Sequence, residues 1–262
     1  AAFWIAWFSY REMARRRRLL AVGAAMLLPV VVSVAWRLLD RDGTVPATLL
    51  LANLGGIVFV PLLTPLVSLA FGLSAIGEEV DEGTIIYYWT RPIGRGAIYL
   101  GRLFAAQTVA ATLLVGSLAL CFLAITAGNA GMLSARFLKL YVATGGAVVL
   151  GACVYTAIFA AMGTALKRPL FAALLFAFGW ETMTGNIPAR LQEATVVFHL
   201  RNLIRNTEAG TGSVPNLLLE LMRRLHDEPP PAQWESLLRL VAVTAVAALL
   251  GIWLLRRKEI FR

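Results

Sequence analysis

The distribution of charge along the chain constrains its fold more than any other feature. No Asp, Glu, Lys, Arg or His occurs in Leu19–Trp36 (18 residues), Gly43–Gly77 (35), Leu103–Ala135 (33) or Leu140–Leu166 (27). About 20 apolar residues cross a bilayer as a helix, and within lipid a helix satisfies its own backbone hydrogen bonds. The rest of the composition agrees: 59% of the 262 residues are hydrophobic and 15% charged, where a soluble domain carries roughly 25% charge. A soluble globular enzyme, a disordered chain and a secreted disulfide scaffold are all excluded. The chain is expected to be an all-α, polytopic membrane protein with a single domain over residues 1–262.

Six spans are expected: Leu19–Trp36, one within Pro46–Ile76, Leu103–Thr126, Tyr141–Leu166, Leu170–Gly185 and Ser236–Leu255. The fifth is the weakest, because its uncharged stretch Pro169–Trp180 is short and it must either tolerate Glu181, expected near the outer edge, or cross at a thin place. The sixth is clear apart from Arg239, which can snorkel. Basic residues then orient the chain, since cytoplasmic loops carry an excess of Lys and Arg. Arg11, Arg15–Arg18, Arg91, Arg95, Arg102, Lys167, Arg168, Arg256–Lys258 and Arg262 fall on one side and account for 14 of the 24 basic residues. Both termini are therefore expected in the cytoplasm. The sequence pI of about 10.2 follows from this topology and requires no nucleic-acid partner.

Residues 1–18 read as an interfacial elbow helix. Phe3, Trp4, Trp7 and Phe8 fall on one helical face, and Arg11, Arg15 and Arg18 follow at helical spacing. Rings in lipid and guanidinium groups toward phosphates suit a helix lying in the headgroup plane. Its role is either a lipid anchor alone or a functional one.

Residues 77–102, between the second and third spans, form the most informative loop. Glu78, Glu79, Asp81 and Glu82 cluster at the membrane exit. Gly83 and Thr84 follow, then the helix-sized run Ile85–Trp89. Arg91 precedes Pro92, which disfavours the α region at Arg91 and ends the run; Arg95 and Arg102 lead into the third span. Three readings are open: a metal site, which no nearby histidine supports, a solvated loop without a role, and a short helix with acid before it and base after it that docks a partner protein.

The pattern E-x-x-x-G-T at Glu79, Gly83 and Thr84, followed by R-P-x-x-R at Arg91, Pro92 and Arg95, resembles the permeases of type-2 (exporter-like) ABC transporters. The layout of elbow helix, six spans, loop helix and external excursion before the last span is similar too. The R-P-x-x-R portion also resembles the permeases of nitrous-oxide-reductase maturation. The resemblance implies a subunit of the cytoplasmic membrane of a prokaryote that pairs with a second copy or a related permease and sits on separate ATP-binding cassette subunits. The loop around Ile85–Trp89, with Glu79, Glu82 and Arg91 at its ends, would be the coupling helix. ATP and Mg would belong to the partner ATPase, for the chain has no G-x-x-x-x-G-K-[ST] phosphate loop. It is expected to have no cofactor and no catalytic residues of its own.

Residues 181–235 form an external amphipathic segment. Val197, Leu200 and Ile204 share one helical face, as do Leu217, Leu221 and Leu225. His199 and His226, far apart and without a cysteine nearby, are expected to be exposed rather than metal ligands. Cys121 and Cys153 lie in apolar runs and read as packing residues. Three other functions compete, one of them an intramembrane protease, against which stands the absence of histidine from every expected span. An ion-coupled secondary transporter needs ionisable residues deep in the membrane, and Glu181 alone is a candidate. A non-transporting membrane scaffold is the third. On the fourth span Ala143, Ala147 and Gly151 form a ridge of small residues suited to close helix packing. Pro61 and Pro65 are expected to kink the second.

Overall fold

The computed structural model describes residues 7, 9–11, 17–39, 46–75, 94–127, 134–166, 168–181, 193–208 and 231–257. Among them the regular structure is helical throughout, with no strand. We label the helices α1 (Arg17–Leu39), α2 (Ala47–Gly72), α3 (Arg95–Thr126), α4 (Ala135–Ala165), α5 (Pro169–Trp180), α6 (Val196–Glu208) and α7 (Gln233–Arg257). Five of these, α1, α2, α3, α4 and α7, are long and apolar enough to cross a membrane. The expected fifth crossing, Leu170–Gly185, is described over residues 170–181, within the shorter apolar helix α5 and the helical Glu181, and residues 182–185 lie outside the described residues.

Helix α4 lies at the centre and packs against α2, α3, α6 and α7. Its sequence explains why. Ala147, Gly151, Ala152, Ala157 and Ala160 are buried small residues that allow close approach, and in lipid such contacts supply much of the association energy. A Cβ at Gly72 of α2 would stand 2.9 Å from Cβ of Phe159 and 3.1 Å from the Thr156 carbonyl. One at Gly55 would meet the Thr144 side chain. Polar side chains add interhelical ties: Gln107 of α3 donates to the Cys153 carbonyl at 3.1 Å, and Ser117 of α3 donates to the Met26 carbonyl of α1 at 2.6 Å. Helices α1 and α7 flank the bundle with exposed apolar rows, including Leu28, Val31, Leu249 and Trp253.

Helix α2 changes register midway. Ala47–Asn53 is α-helical, Leu54–Leu63 is a π-helix, and Thr64–Gly72 returns to α. The expected kink at Pro61 and Pro65 thus takes the form of a register change. In the π pattern each N–H reaches the carbonyl five residues back, as the Thr64 amide does to Phe59. The donor due to the Gly56 carbonyl would be residue 61, and Pro61 has no N–H. A carbonyl is thereby left open in the middle of an apolar bundle.

Candidate functional site

Of the residues expected at the coupling loop, Glu78, Glu79, Asp81, Glu82, Gly83, Thr84, Ile85, Trp89, Arg91 and Pro92 lie outside the described residues. Arg95 opens α3. The flanks of the loop are described, and they meet. Helix α2 ends in the turn Leu73–Ala75, where the Ala75 amide bonds to the Gly72 carbonyl. The buried Arg102 of α3 donates through Nη1 to the Ala75 carbonyl at 2.9 Å. Gly94 then starts α3 by accepting from the amides of Ala97 and Ile98. One guanidinium therefore fastens the exit of α2 to the entry of α3, so the two ends of the loop are held as a unit.

Of the expected interfacial helix, Trp4, Phe8 and Arg15 lie outside the described residues. Trp7 and Arg11, one helical turn apart, are both exposed, and Trp7 stacks on Tyr10 with ring centroids 6.3 Å apart. Tyr10 in turn packs against the core.

The second constellation is a buried polar junction between Glu181, which follows α5, and the start of α6. Glu181 is only 1% exposed. Its Oε1 accepts from the Val196 amide and its Oε2 from the Val197 amide, each at 3.1 Å. The next amide, of Phe198, donates to Oγ1 of Thr195 at 3.3 Å. Three of the four amides that a helix start leaves open are thus satisfied, and the carboxylate sits where the helix dipole favours negative charge. The Tyr155 ring of α4 neighbours the same carboxylate, with the Arg201 charge also in range. Tyr155 stands ten residues, or ~15 Å of helix, from the Ala165 end of α4. Glu181 therefore lies well inside the bundle, beside Tyr155, instead of at its outer edge.

Arg201, one turn further along α6, reaches the open carbonyl of α2. Its Nε donates to Gly56 at 3.0 Å, supplying the bond that Pro61 cannot make. Beside it the Leu200 side chain fills the gap at Gly151 and Thr64, where a Cβ on Gly151 would stand 2.8 Å from Leu200 Cδ1 and 2.9 Å from Thr64 Cγ2. Val197, Leu200 and Ile204 are buried, as the spacing predicted.

The other side of α6 binds α7. Asn202 donates through Nδ2 to the Pro231 carbonyl at 2.7 Å and to Ser236 Oγ at 3.0 Å. His199 Nε2 lies 2.9 Å from the Glu193 carbonyl and Nδ1 3.2 Å from Ser236 Oγ. A carbonyl can only accept, so the proton is on Nε2 and Nδ1 accepts from the serine. His199 is 5% exposed, which corrects the expectation of an exposed histidine: the polar face of α6 is buried against α7 and satisfied there. His226 lies outside the described residues. Arg239 of α7 pairs with Glu193 at 3.0 Å; both are nearly half exposed, so the pair contributes at most about 1 kcal/mol. Sequence reasoning missed Arg201 and Asn202. The available signal was an arginine set directly beside the apolar row of Val197, Leu200 and Ile204.

Five bilayer-length helices around a small-residue core, with buried polar ties between them, define a polytopic α-helical membrane protein. Within that class the sequence profile described as ABC-2 family transporter protein matches residues 13–180, more than half of the chain, and the chain belongs to that family. A search of the curated proteins returns no match. Residues 181–262, which include α6, α7 and the Glu181 junction, lie beyond the matched stretch.

Proposed function

We propose that this chain is the permease subunit of an ATP-driven exporter in a prokaryotic cytoplasmic membrane, working as a pair of permeases on two separate cassette ATPases. ATP binding closes the ATPases, presses on the loop of residues 77–102, and switches a pathway at the permease interface between inner and outer access. Glu79, Glu82 and Arg91 flank the docking helix around Ile85–Trp89. Both termini and the basic ends of the spans face the cytoplasm, as the charge bias requires. The observation that carries the reading is the acid-to-base loop of an ABC-2 family chain, joined at its roots by the Arg102–Ala75 bond.

The ion-coupled alternative has one observation in its favour, the deep carboxylate of Glu181. Both of its oxygens already accept from the start of α6, so it serves as a cap and is not an open ion ligand. The test of the proposal is a double charge reversal, Glu82→Arg with Arg91→Glu. The variant should insert normally and either lose the ATPase on purification or fail to stimulate its hydrolysis. Retention of the ATPase with full stimulated hydrolysis would contradict the assignment of the loop.

A further inference from the structure

Besides its bonds to α7, helix α6 is tied by polar bonds to Glu181 and to α2. Its N-terminal amides are gripped by Glu181 at the end of α5, and its Arg201 replaces the missing donor of Pro61 on the Gly56 carbonyl of α2. Helix α2 runs on from that register change, through Thr64–Gly72 and the turn Leu73–Ala75, into the loop rooted by Arg102. A charge-assisted hydrogen bond in a low-dielectric interior is a strong tie. A π-helical stretch containing proline, with an open carbonyl, is a weak point in its own helix.

We propose that Arg201 is a positioning residue for transport. By bonding the Gly56 carbonyl it makes α6 move with the π segment of α2, so that displacement delivered to the cytoplasmic loop reaches the opposite end of the bundle. Glu181 sets the pivot by fixing where α6 starts. Leu200, seated against Gly151 and Thr64, supplies the apolar contact that keeps the arginine in reach. The inference rests on the permease reading above, and its test separates the two.

The complex of this chain with its ATPase, reconstituted in lipid nanodiscs with Cys121 and Cys153 replaced by alanine, carries spin labels at one of two cysteine pairs. Leu100 and Leu170 report on the loop end; Leu123 and Leu203 report on the α6 end. Distances are compared without nucleotide and after trapping with ATP and vanadate. In the otherwise native chain both pairs should respond. In Arg201→Gln the loop-end response should persist and the α6-end response should be lost, while Arg201→Lys, which keeps a cationic donor, should restore part of it. Pro61→Ala tests the same bond without touching α6, since the new N–H gives Gly56 its own donor. It should also weaken the α6-end response without lowering the melting temperature, and it decides the matter if Arg201→Gln fails to assemble. An α6-end response in Arg201→Gln equal to the unsubstituted one, or absent from the start while the loop end responds, overturns the inference alone. If neither pair responds, the permease reading falls with it.

Discussion

The carboxylate of Glu181 shows how one residue can organise two helices. It lies at the end of an apolar helix, a costly place for a charge, yet each of its oxygens meets a backbone amide that would otherwise be unsatisfied. Replacing it with glutamine keeps one acceptor and turns an NH2 group toward the other amide. Glu181→Gln should therefore destabilise the protein by about 1–3 kcal/mol, read as a lower melting temperature in detergent, with Glu181→Ala lower still. Equal melting temperatures for native and glutamine forms would show that the cap is dispensable. The sequence singled out Glu181 as the ionisable residue within the fifth span, but its depth was not legible. Depth is set by the packing that brings Glu181 beside Tyr155 of α4, which counting along the chain does not reveal. Arg201 was hidden for a related reason: its partner is a carbonyl exposed by a proline 140 positions earlier, and only the fold brings them within 3.0 Å.

At the scale of elements, α6 was readable as an amphipathic helix, and its apolar face lies where the spacing put it. On its polar face His199, expected to be exposed, is buried. Pattern reports which residues resemble each other, and it cannot distinguish water from a polar neighbour such as Ser236 or the Pro231 carbonyl. This burial has a pH consequence. Desolvation lowers the pKa of His199 from its usual 6.5, the Arg239 charge pushes the same way, and the Glu193 carbonyl and carboxylate oppose both. The unfolded chain thus takes up the proton at higher pH than the folded protein does. The contribution of neutral His199 is complete above about pH 6.5 and is lost as pH falls below it. Thermal stability should drop between neutral and mildly acidic pH, and the drop should shrink in His199→Gln, a control that leaves His226 and the carboxylates unchanged. An identical pH profile in the two forms would rule out this histidine as the source. The π segment of α2 was legible only as a pair of prolines, since the sequence reveals the missing N–H and not the register that absorbs it.

For the whole molecule, the charge-free runs gave the membrane class and four of the five long helices directly, and the last followed from Ser236–Leu255. Of the fifth expected crossing, residues 170–181 are helical and 182–185 lie outside the described residues. The family was legible in the resemblance that the loop motif carries, and the profile match over residues 13–180 agrees with it. The central proposal is that this chain transmits work performed by another polypeptide. Native mass spectrometry of the complex purified through this chain from its own membrane tests that claim most directly. Two copies of the chain should appear with two copies of a subunit carrying a nucleotide-binding phosphate loop. A chain that purifies without such a subunit and by itself drives uptake into liposomes from a proton or sodium gradient would contradict the account.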